Sequence, residues 1–425
     1  MIHISNLHKE SSNGWTKLIA EITQGGGGHD FLSDTEKNIW FAVKDENAGM
    51  LADDVYNAFL LVPLYLGMYY KHDLHIHGCV SKRFYRNINN YLQRILCDFS
   101  DDLSRINVTV DCFKECDGDH NIIGAGISCG VDSLTTIYDR FVNESDPEYK
   151  INGLFLFNTG TFGNYGEKCE KVYFLHSQQN KRAADELGLP VYQVNSNIHA
   201  FTHKVGSDPK AGYFAIWSCI IALEKALNKY YVSSTYSYNQ ILTFGKNFHD
   251  RDFAQFSESY SVPLIRTDRL ELISDGCQYE RNEKVERIAD WNIAQKYLNV
   301  CYMDAANARN CSKCAKCTAT LLALEAINKL ENFSGVFDLD TYKKISWREK
   351  KIAVFNHFEN IISSNEPDPY LFLKRRGVKL PSRLSAYLLQ WRRFPGFVYL
   401  TFKNFIHSIV GDKIYYATKK FVKGS

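Results

Sequence analysis

Four short apolar runs, separated by helical stretches, pass through the middle of this chain. They are IIGAGIS (Ile122–Ser128), INGLFLFNT (Ile151–Thr159), VYQVNSN (Val191–Asn197) and YYVSSTY (Tyr230–Tyr236). Strands buried on both faces of a parallel sheet read as near-continuous apolar runs. A parallel neighbour cannot be reached by a tight turn, so each crossover needs a helix. The expected crossovers are Leu134–Val142, the stretch from Glu167 ended by Gly188 and Pro190, and Ala211–Lys229. The alternation predicts an α/β fold with a doubly wound parallel sheet over residues 118–330.

Ahead of it, residues 1–117 read as a separate, smaller α/β domain. Its expected strands are Ile39–Val43, Leu74–Val80 and Ile106–Cys112, and one helix is expected over Ala52–Tyr70. Ser81 is placed to cap a second helix, in which Phe84, Ile88, Leu92, Ile95 and Phe99 fall at helical spacing. Gly25–Gly28 read as a flexible linker. The longest apolar run, Ala58–Tyr70, has 13 residues, short of the ~20 that span a bilayer, and reads as a buried helix. The opening residues lack a basic stretch followed by an apolar core, so a cytoplasmic location is expected.

Residues 331–425 read as a helical, basic region. From Leu371 onward twelve Lys and Arg face one acid, Asp412, in a chain whose net charge is only +2. The protein is therefore an acidic body with a basic tail. The tail mixes aromatics with Arg392, Arg393 and Lys403. Docking on the acidic body is the expectation; nucleic acid and an anionic membrane surface are the alternatives.

The stretch SCGVDS (Ser128–Ser133) ends the first of the four runs and opens a helix. Backbone N–H groups of such a turn, with the helix N-terminus, make an anion site. Ser128 and Ser133 would add hydroxyl donors. Asp132 is out of place beside a bare phosphate but suits Mg²⁺, which bridges carboxylate and phosphate. No Walker A lysine motif occurs in the chain.

Cys301, Cys311, Cys314 and Cys317 are spaced C-x9-C-x2-C-x2-C. Four thiolates suit tetrahedral Zn²⁺, and a full set of protein ligands makes a structural site. Cys317 lies near the start of an apolar helix, where the dipole favours thiolate. Twelve cysteines with this cluster among them point to metal binding in a reducing cytosol rather than a disulfide framework. In CFKEC, Cys112 and Cys116 lack redox-motif spacing and read as incidental. HIHGC places His75, His77 and Cys79 on one face of a strand; they read as structural, with a metal site as the alternative.

The turn resembles the pyrophosphate loop S-G-G-x-D-S of the ATP-pyrophosphatase superfamily, whose members cleave ATP between the α and β phosphates. Ser128, Gly130, Val131, Asp132 and Ser133 match it; Cys129 stands where the motif has its first glycine. With the cysteine cluster behind it, residues 120–330 resemble 7-cyano-7-deazaguanine synthase. The resemblance implies adenylation of a carboxylate, with ATP as substrate and AMP and pyrophosphate as products, then attack by an amine. The carboxylate would be a deazapurine and the amine ammonia. Within it, Ser128, Gly130, Val131, Asp132, Ser133 and Asn158 would hold ATP, the glycines after Asn158 would approach adenine, and Lys284 would neutralise phosphate charge. Enlarged synthase-like proteins of bacterial anti-phage systems turn this chemistry on a protein partner. The rival readings are a tRNA sulfurtransferase using Cys129 or an iron–sulfur cluster, and a nucleotide-binding module without turnover.

Overall fold

Ten strands form one sheet: β1 (Ile2–Ser12), β2 (Trp15–Gln24), β3 (Asn38–Lys44), β4 (Leu74–Val80), β5 (Val108–Phe113), β6 (Ile122–Gly126), β7 (Gly153–Asn158), β8 (Val191–Ser196), β9 (Leu227–Ser233) and β10 (Glu271–Asp275). The computed structural model describes residues 1–25, 32, 37–160, 167–205, 210–244, 258–359 and 369–393. The strand order is β10-β9-β6-β7-β8-β3-β2-β1-β4-β5. From β6 to β10 all pairings are parallel. The chain builds outward from β6 through β7 to β8, then returns to the other side of β6 for β9 and β10. This is a doubly wound order with its switch point between β6 and β9.

The other half is mixed. Strands β1, β2 and β3 form an antiparallel meander, while β4 runs parallel to β1 and β5 to β4. The first hairpin turns at Asn13 and Gly14, both at positive φ (53° and 77°), as a two-residue loop matching the strand twist requires. Along β1 and β2, Ile2, Ile4, Leu18, Ala20 and Ile22 are buried at period two, the mark of a half-covered sheet.

The halves join at β3 and β8. Two antiparallel pairs, Phe41 with Ser196 and Ala42 with Asn195, bridge them. Asn197 extends the seam, accepting from Trp40 N (2.9 Å) and donating to Asn38 O (2.7 Å). One hydrophobic core holds Ile2, Phe41, Leu64 and Leu74 together with Phe155, Trp217 and Leu272. Residues 1–117 thus share sheet and core with the strands that follow. The chain divides instead into two units, Met1–Asn310 and Cys311–Ser425.

Several elements differ from expectation. The helix expected from Ala52 begins at Leu61, after a short 3-10 turn at Asn57–Phe59. Pro63 lies in its first turn, where no N–H is needed. Ser81 precedes the helical run Lys82–Phe99, but its side chain caps nothing; its Oγ accepts from Asn57 Nδ2 at 2.7 Å. The helix Lys210–Ile221 stops early because Leu227–Lys229 belong to β9. The preference for metal binding over disulfides needs correction in part. Pairing of β4 with β5 sets Cys79 opposite Cys112, Cα atoms 4.5 Å apart, and a disulfide joins them. Among the described residues no helix is long and apolar enough to cross a membrane.

The second unit is helical where described: Ala315–Ala326, Leu339–Phe358, Pro369–Arg375 and Arg383–Arg393. Val354, Phe355, Ala386 and Tyr387 form a small core. Glu325 accepts from Tyr342 Oη (2.7 Å) and Lys350 Nζ (2.5 Å). Most of the basic tail, from Phe394 onward, lies outside the described residues.

Candidate active site

The turn after β6 sits at the carboxyl edge of the sheet, at the switch point, where ligands of doubly wound folds bind. Its two hydroxyls hold the turn itself. Ser133 Oγ donates to Gly126 O (2.9 Å) and accepts from Ser128 N (3.1 Å). Ser128 Oγ accepts from Gly130 N at 3.3 Å. Asn180 Nδ2 donates to Ile127 O at 3.1 Å, satisfying a buried carbonyl. Helix Val131–Ile137 follows, with Gly130 at its N-cap and Asp132 in its first turn.

Two cations converge on Asp132. Lys284 Nζ lies 2.8 Å from Oδ1 and Arg281 Nη1 lies 3.3 Å from Oδ2. Both come from helix Arg281–Ile288, three residues apart and so on one face. A capping box between Glu280 and Glu283 starts that helix. Lys284 is 1 % exposed, and its ammonium also donates to Ser234 O (2.5 Å), just beyond β9. A buried ammonium requires such partners, since removing one leaves an unpaired charge at a cost of about 3–5 kcal/mol. Gly276, just beyond β10, approaches the end of the Lys284 side chain. The lysine therefore ties together the carboxyl ends of β6, β9 and β10.

Glu258 adds a further acid. It is fully buried, and burial pushes its carboxyl up to about 8; Lys284 pulls the other way and Asp132 adds to the rise. Arg140 binds Asp275, at the end of β10, through Nε (2.8 Å) and Nη2 (2.6 Å).

Asp132, expected to hold Mg²⁺, is paired with Lys284 and Arg281. With Glu258 buried and its carboxyl pushed up to about 8, the neighbourhood offers a divalent cation one ionised carboxylate between two positive groups, a donor set that fits an anion better. Asn158, at the end of β7, donates from Nδ2 to Glu170 Oε1 (3.3 Å). Residues 161–166, which carry most of the expected adenine loop, lie outside the described residues.

Cys129, at the position of the motif glycine, has a φ of +54°. The backbone there takes the left-handed conformation that glycine adopts freely, while Gly130 has an ordinary φ of −77°. The Cys129 side chain is fully buried, and burial alone pushes its thiol up to about 12. Its carbonyl accepts from Asn299 N at 2.8 Å. A thiol in this state is neither exposed nor ionised and is a poor nucleophile.

The four cysteines come together as expected. One sulfur from each of Cys301, Cys311, Cys314 and Cys317 lies within 4.8 Å of the others, and all but Cys311 are buried. Sulfurs sharing a tetrahedral Zn²⁺ at 2.3 Å lie about 3.8 Å apart, so the cluster can hold a metal such as zinc. Backbone N–H groups of Asp304 and Cys314 point at the sulfurs of Cys301 and Cys311, each at 3.3 Å, as suits thiolates.

Asp132, Lys284 and the turn were legible in the sequence. Arg281 and Glu258 were not. Arg281 had a signal, its place one turn before Lys284; Glu258 sits in a stretch with no motif. Comparison of the chain with protein-family models, with curated proteins and with solved structures finds no match.

Proposed function

We propose that the site at the carboxyl ends of β6, β9 and β10 adenylates a carboxylate with ATP and passes the acyl group to an amine, in the manner of 7-cyano-7-deazaguanine synthase. One observation carries the reading: the buried Lys284 and its neighbour Arg281 converge on the first turn of the helix that opens at the switch-point turn. In this reading a substrate carboxylate oxygen attacks the α-phosphorus, and the bond to the β-phosphate bridging oxygen breaks. Pyrophosphate leaves against the turn amides, Lys284 and Arg281. The amine then adds to the acyl carbon, loses a proton, and expels AMP. Catalysis is by positioning and charge neutralisation, the form suited to phosphate chemistry. Asp132 orients both cations. The buried, protonated Cys129 weighs against sulfur transfer through that residue.

The test is pyrophosphate release from ATP with 7-carboxy-7-deazaguanine and ammonia, with products identified by mass spectrometry. Arg281→Gln, at a partly exposed residue, is expected to slow release about 10²-fold or more by analogy with other lost transition-state donors. Lys284→Met is expected to abolish it, with folding checked by circular dichroism. Turnover at the parent rate in Arg281→Gln, or absence of release from the parent with any carboxylate offered, overturns the reading.

A further inference from the structure

Three neighbouring strands of the mixed half bring four metal-type ligands to one patch. His3 lies on β1, His75 and His77 on β4, and Asp111 on β5. Period two puts His75 and His77 on the same face of their strand. Register sets His3 beside His75, and His75 beside Thr109, two residues before Asp111. The side chains close on one another accordingly. His75 Nε2 is 3.1 Å from Asp111 Oδ1, and His3 Nδ1 is 3.1 Å from His77 Nε2. The His75 and His77 rings lie 4.3 Å apart, edge to face, and His3 stacks on His77 at 5.3 Å. One donor atom from each of His75, His77 and Asp111 falls within 4.8 Å of the other two.

We propose that His75, His77 and Asp111, flanked by His3, form a second metal site, for a divalent transition ion such as Zn²⁺. Donors on a tetrahedral Zn²⁺ at about 2.0 Å are themselves about 3.3 Å apart, and the 3.1 Å contact of His75 with Asp111 is already near that spacing. Two imidazoles with a carboxylate suit borderline divalent metals and leave positions open. The support around the set is that of a ligating histidine. His75 Nδ1 is 2.7 Å from Thr109 Oγ1, and when it donates there the lone pair of Nε2 is turned on Asp111. Two acceptors then face each other, an arrangement a shared cation satisfies. The Cys79–Cys112 disulfide follows His77 by two residues and Asp111 by one, tying together the two strands that carry the ligands. The set is imidazole and carboxylate, chemically distinct from the thiolates of the cysteine cluster.

The experiment is zinc content per chain of the full-length protein, equilibrated with buffered free Zn²⁺ and freed of excess. The double variant His75→Ala/His77→Ala is expected to hold one equivalent less than the parent, whatever the cysteine cluster retains. Asp111→Asn, which keeps the shape of the side chain, is expected to weaken this equivalent at least tenfold. Electron paramagnetic resonance with Cu²⁺ supplies a second readout, with imidazole nitrogen coupling in the parent that the double variant lacks. A folded double variant with the parent's zinc content, or a Cu²⁺ spectrum unchanged by the substitutions, overturns the proposal.

Discussion

At the scale of single residues, Cys129 sets two effects against each other. A left-handed φ on a non-glycine residue costs about 1–2 kcal/mol. Burying a small apolar side chain in the turn returns about 1 kcal/mol. Cys129→Gly relieves the first and loses the second, so urea unfolding should show a change within about 1 kcal/mol. Cys129→Ala keeps the strain and loses the sulfur contacts, and should be the less stable variant of the two. The reverse order would mean that the Cβ contacts and the greater unfolded-chain entropy of glycine outweigh the backbone strain. Glu258 yields a pH prediction. Its folded-state carboxyl titrates near 8, well above the ordinary carboxylate range. The unfolded chain therefore releases this proton first, and stability falls as pH rises from about 4.5 to 8. In Glu258→Gln that component is absent, so the variant should gain stability relative to the parent between pH 5 and pH 8. Unfolding curves at several pH values check it, and an unchanged difference across the window would contradict the burial argument.

At the scale of elements, legibility followed the strength of local periodicity. β4 matched its expected limits, Leu74–Val80. β6, β7 and β8 fell within theirs, because each is a short apolar run with turn residues at its ends. The first hairpin was missed although its signals are present: Asn13-Gly14 between two alternating segments. β10 was missed because five residues, ELISD, are too short to show a period against their surroundings. The helix Arg281–Ile288 matters most to the proposed chemistry. Its sequence places Arg281 and Lys284 on one face, but nothing local says which strand end that face will meet.

At the scale of the whole molecule, the shared core has a direct consequence. A chain beginning at residue 118 would lose Ile2, Phe41, Leu64 and Leu74 from the core and leave the β8 edge unpaired. Such a chain should aggregate or lack a cooperative unfolding transition, although it keeps the turn, Asp132 and Lys284. A soluble monomer of residues 118–425 with cooperative thermal unfolding would show that the first half of the sheet is dispensable.

What the sequence determined alone is what neighbouring residues determine: the alternation of strand and helix over 120–236, the hydroxyl-rich turn of Ser128–Ser133, and four cysteines within seventeen positions. These depend on the periods of helix and strand and on short loops. Tertiary structure decided the rest. It paired β3 with β8, merged two expected domains into one sheet, and set Cys79 opposite Cys112. It gathered His3, His75, His77 and Asp111, and brought Lys284 to Asp132 across 152 residues. Such contacts depend on which buried faces and strand edges complement one another once the chain has collapsed, and no local period records that choice.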